Sequence, residues 1–125
     1  MKNQSHLKFT GGKNIAMKLP SHIFDATVSF YKDVLKLPLI EKDEASIVFR
    51  FGTQNLWLDR VDRIRTAEIW LEIVTDDVEA AAEYLNQQNV PCRDEIEPLP
   101  NGFQGFWVSN PAEVIHLVAR QSESE

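Results

Sequence analysis

Between Lys13 and Leu19 apolar and polar residues alternate, with Ile15, Met17 and Leu19 on one face and Asn14, Ala16 and Lys18 on the other. A period of two marks a half-buried strand. Pro20 and Ser21 end it, and apolar positions then recur at Phe24, Val28, Tyr31 and Leu35, with Val34 alongside. Spacings of three and four predict an amphipathic helix over about Phe24–Leu35. Leu37–Ile40, Ser46–Phe51 and Leu56–Arg60 read as short strands, divided by the charged turn Glu41–Glu44 and by Gly52–Asn55.

The second half repeats this order. Ala67–Val74 alternates, with Ile69, Leu71 and Ile73 on one face and Glu68, Trp70 and Glu72 on the other. Asp76 then reads as a helix N-cap with Glu79 behind it, and Val78, Ala81, Ala82 and Leu85 form an apolar stripe. Arg93–Ile96, Gly105–Ser109 and Val114–Ala119 complete the strands. Tyr31 and Tyr84 are 53 residues apart, as are Pro38 and Pro91, and Ile15 and Ile69 are 54 apart. The pattern predicts an α+β fold of tandem βαβββ modules, about 13–62 and 67–120, whose curved mixed sheets surround a shared cleft. Residues 1–12 and 121–125 are expected to be flexible or polar tails.

The chain has 125 residues, enough for one domain with its own core. Its 13 Lys and Arg against 19 Asp and Glu give a net charge of −6, which argues against nucleic acid as a partner. Cys92 is the sole cysteine, so no internal disulfide is available and a reducing cytoplasm is the expectation. No signal peptide or membrane span is predicted. Gly11-Gly12-Lys13 precedes a strand rather than a helix, so it does not read as a phosphate loop.

Ser29-Phe30-Tyr31-Lys32-Asp33-Val34-Leu35 and Thr75-Asp76-Asp77-Val78-Glu79-Ala80-Ala81, set in this repeated order, resemble the vicinal oxygen chelate superfamily. That group includes glyoxalase I, bleomycin-resistance proteins and extradiol dioxygenases. The resemblance covers about Lys13–Arg120. It implies paired modules, a homodimer, and a site floored by the first, fourth, fifth and last strands. In the superfamily's metal enzymes a His, a Glu, a His or Gln and a Glu from those strands hold a divalent cation. Here the first position falls on or near Ala16, which has no donor, and neither Asn14 nor Lys18 replaces it. The fifth-strand position aligns with Trp70. Asn110-Pro111-Ala112-Glu113 stands where the superfamily has Asp-Pro-x-Gly, and His116 is the best match on the last strand, with Leu117 expected on the apolar face.

The leading expectation is therefore a small-molecule-binding protein of the glyoxalase and bleomycin-resistance type, with no cofactor expected. Trp57, Asp59, Glu68, Trp70 and Glu72 would line an acidic aromatic cleft, joined by Phe103, Trp107 and His116, suited to a planar or cationic ligand. His116 is also the candidate catalytic base, oriented by Glu72 or Glu68. The rival is a lyase, isomerase or dioxygenase whose divalent metal is held by Asp59, Glu68 and His116. A third reading is an interaction module with a cleft filled by its own side chains. His6 falls in the tail, His22 at a helix entrance, and Cys92 has no base beside it to activate its thiol.

Overall fold

The computed structural model describes residues 7–121. The elements are β1 (Phe9–Leu19), α1 (Ser21–Ser29) continued by a π-helical turn (Phe30–Val34), β2 (Leu39–Lys42), β3 (Ser46–Phe51), β4 (Gln54–Arg60), β5 (Glu68–Thr75), α2 (Val78–Gln87), β6 (Gly105–Ser109) and β7 (Ile115–Arg120). The class is α+β with mixed strand pairing. No helix among the described residues is long and apolar enough to cross a membrane. The chain divides into two compact units, Lys13–Trp70 and a second made of the residues up to Gly12 with Leu71 onward.

In the Lys13–Trp70 unit the strand order is β2-β3-β4-β1. The crossover through α1 and the two hairpins brings β4 back beside β1 in parallel, pairing Ala16 with Trp57 and Lys18 with Asp59. The other two pairings are antiparallel. Alternation sends Leu19, Ile47, Phe49, Leu56 and Leu58 to one face, where they pack with Phe24 of α1 and with Ile15 and Met17. That burial is what holds the short helix, since a nine-residue segment is marginal alone. The helix ends when Leu35 N–H reaches back five residues to the Phe30 carbonyl (3.0 Å) and Lys36 turns left-handed at φ 56°.

In the second unit the order is β5-β7-β6, with β5 and β7 parallel and β6 and β7 antiparallel. Ala81 of α2 packs on Val108 and Val118, with Ile73, Leu85, Val90 and Phe106 around them. Asn89, left-handed at φ 63°, closes α2.

Three expectations are corrected. β1 begins at Phe9, so residues 9–12 of the supposed tail are strand, while residues 1–6 and 122–125 lie outside the described part. The α2 cap is Asp77, whose carboxylate accepts from Ala80 N–H at 3.0 Å; Asp76 instead accepts from Lys8 N–H at 3.3 Å. Arg93–Ile96 is not a strand: only an isolated bridge, Cys92 to Val108, forms there. Asp94 explains this, because its carboxylate accepts the Trp107 N–H (2.9 Å) that a neighbouring strand would otherwise bond.

Candidate functional site

On the face of the Lys13–Trp70 unit opposite α1, the β1/β4 register sets Asn14, Ala16 and Lys18 against Asn55, Trp57 and Asp59. Their polar atoms meet one another. Lys18 Nζ lies 2.7 Å from Asp59 Oδ2, and Asp59 Oδ1 accepts from Ser46 Oγ at 2.6 Å. The same ammonium sits 4.3 Å from the Trp70 ring centroid. Trp70 Nε1 donates to Glu68 Oε1 at 3.0 Å, and Trp57 Nε1 donates to Asn14 Oδ1 at 2.8 Å. Asn55 Nδ2 also donates to Asn14 Oδ1, leaving Asn55 Oδ1 buried without a partner among the described residues. The structure thus brings Asp59 to Lys18 and Ser46, and Glu68 to Trp70. Lys18 is the residue that sequence reasoning passed over; its signal was its place on the same strand face as Asn14 and Ala16.

In the second unit the β5/β7 and β6/β7 registers pair His116 with Leu71 and Val108, and Leu117 with Glu72 and Trp107. His116 therefore shares the face covered by α2, and Leu117 takes the opposite face. This reverses the expected parity and removes Glu72 as a partner that could orient His116. The reversal follows from the turn: Asn110 Oδ1 accepts from both Ala112 N–H and Val114 N–H, and Glu113 adopts φ 64° in the slot that glycine would fill.

His116 instead lines a cavity of about 760 Å³ at the C-terminal end of α2. Phe9, Ile73, Tyr84, Leu85, Val90 and Val108 make its apolar wall, and the Phe9 and Tyr84 rings are 6.1 Å apart and tilted by 37°. Arg93, Asn89, Ser109 and Glu113 are among the polar residues that also line it. His116 Nδ1 lies 3.0 Å from the Val114 carbonyl, which can only accept, so Nδ1 carries the proton and a neutral ring keeps its lone pair on Nε2. Arg93 Nε donates to Glu95 Oε2 at 2.8 Å, and the guanidinium holds that carboxyl below its ordinary range.

The other expected site residues have local tasks. Trp107 is buried, with Nε1 donating to the Glu97 carbonyl at 2.9 Å. Phe103 is exposed and its ring lies against Gly105, where a Cβ would also meet the Val118 carbonyl at 2.8 Å. The Glu72 side chain occupies the space beside Gly12 that any Cβ would take.

The donor set for a metal does not fit. Ala16 and Trp70, the residues matched to the first- and fifth-strand positions, offer no ligand atom, His116 of the last strand lies on the face covered by α2, and Asp59 is already bound by an ammonium and a hydroxyl. Among the described residues no group of three or more His, Cys, Asp or Glu side chains could hold an ion.

Solved structures share this architecture. The Mn(II)-bound glyoxalase from Novosphingobium aromaticivorans superposes with a TM-score of 0.68 at 20% identity, over 91% of this chain and 40% of that one. A hypothetical protein from Bacillus halodurans matches with a TM-score of 0.65 at 14% identity, over 94% and 96%. Homoprotocatechuate 2,3-dioxygenase from Arthrobacter globiformis gives 0.66 at 20% identity, over 93% and 37%. This chain has the vicinal oxygen chelate fold and spans about two fifths of the length of those two enzymes. No protein-family model and no curated protein matches the sequence.

Proposed function

We propose that this domain binds a small, largely apolar molecule carrying a hydroxyl or N–H donor, in the cavity beside α2 and without a metal. The observation that carries this is the cavity itself. Its volume, about 760 Å³, matches that of small-molecule sites, and apolar side chains from β1, β5, α2 and β6 line it together with polar groups. His116 supplies the orienting contact: with Nδ1 committed to the Val114 carbonyl, Nε2 accepts from the guest. This keeps the small-molecule role of the glyoxalase and bleomycin-resistance type and moves its centre to the α2 side of the second unit. The homodimer implied by the resemblance belongs to the same proposal and is supported by the edge strand β2, all four residues of which are exposed.

The test is a thermal-shift screen with small aromatic alcohols and amides, since a guest that binds only the folded state raises Tm. Hits are expected, unchanged by EDTA and weakened about tenfold in His116→Phe, which removes one hydrogen bond and keeps the ring. A silent panel, or hits indifferent to His116→Phe, would sink the proposal.

A further inference from the structure

We infer that the Lys18 ammonium is an internal guest in a cation cage formed by the Asp59 carboxylate, the Ser46 hydroxyl and the Trp70 ring, and that the cage takes a small alkylammonium ion once this side chain is shortened. The inference stands apart from the cavity proposed above, because every residue of the cage lies in the Lys13–Trp70 unit.

The cage is built by strand register. Parallel pairing of β1 with β4 puts Lys18 opposite Asp59, and antiparallel pairing of β3 with β4 puts Ser46 opposite the same aspartate. Both carboxylate oxygens are used, Oδ2 by the Lys18 ammonium at 2.7 Å and Oδ1 by the Ser46 hydroxyl at 2.6 Å. The ammonium also faces the Trp70 ring at 4.3 Å, and Glu68 fixes that ring by accepting its indole N–H at 3.0 Å. Lys18 is 4% exposed and Trp70 3%. Lysines are seldom buried to this degree unless paired, and desolvation strengthens both the ion pair and the cation–π contact. A carboxylate joined to an indole face is the chemistry that recognises alkylammonium ions. Asp59, which looked free to receive a cationic ligand, is thus already paired from within.

Lys18→Ala removes three carbons and one nitrogen, the atoms of n-propylammonium. The variant is expected to lose roughly 10 °C in Tm, because the part-buried Asp59 carboxylate loses its partner. Titrating n-propylammonium chloride at constant ionic strength is expected to restore several degrees with saturation, whereas potassium chloride and n-propanol leave Tm unchanged. Native protein, whose cage is full, should not respond. Neither should the paired variant Lys18→Met with Asp59→Asn, which buries no charge at this position. Should Lys18→Ala fail to fold alone, refolding it in n-propylammonium gives native far-UV circular dichroism if the inference holds. Propylammonium acting no better than potassium, on Tm or on refolding, overturns it, as does an equal response from the paired variant.

Discussion

Cys92 shows how far a single neighbour decides a residue's chemistry. Its thiol lies on the surface, where exposure alone would make it reactive, yet Sγ–H donates to Asp94 Oδ2 at 3.2 Å. The Asp94 backbone N–H favours the thiolate, but desolvation and the carboxylates of Asp94 and Glu95 together outweigh it and push the thiol pKa up. Because the thiolate is the nucleophile, a raised pKa means a smaller reactive fraction at any pH below it. Alkylation by iodoacetamide near neutral pH should run slower than for a free thiol, with its pH midpoint displaced upward, and Asp94→Asn should speed it. Equal rates in the two proteins would contradict this. Nothing in the sequence placed a base beside Cys92; that a carboxylate two residues on faces it depended on the turn at Asp94–Glu95, closed by Ile96 N–H donating to the Arg93 carbonyl.

At the scale of elements, hydrophobic period located both helices and all seven strands to within a few residues, and predicted an eighth strand that does not form, because alternation and the three-to-four spacing are properties of the chain itself. Ends were harder. Asp76 and Asp77 are adjacent acceptors with the same intrinsic capping power, and the backbone decided between them: Asp77 is extended at φ −146° and its carboxylate reaches Ala80 N–H. Asp77→Ala should therefore cost about 1 kcal/mol in urea unfolding, and Asp76→Ala clearly less. The reverse order would return the cap to Asp76. The strand anticipated at Arg93–Ile96 failed for a similar reason, since one side-chain acceptor satisfied the Trp107 N–H and the ladder stopped.

For the molecule as a whole, the predicted partner is a second copy. Most exposed apolar residues of the Lys13–Trp70 unit lie at the π-helical turn and at strands β2 and β3, with Phe30, Leu39, Ile40 and Phe51 each near 46% exposed. An open strand edge flanked by apolar side chains is an invitation to pair or to aggregate. Sedimentation velocity should give twice the chain mass at micromolar concentration, and Ile40→Lys should give the monomer. A native monomer would remove the dimer from the proposal.

Sequence alone settled the α+β class, the apolar faces of β1 and β4, and the lack of a ligand atom at Ala16 and Trp70, since each is carried by residue type and period. Only the tertiary structure decided which way the last strand faced and who met whom. His116 and Leu117 differ by one position, and a turn that holds Glu113 left-handed sends the first to the α2 side and the second away. Lys18 and Asp59 are 41 residues apart, and their charges cancel because strand pairing, which no local pattern encodes, laid one opposite the other.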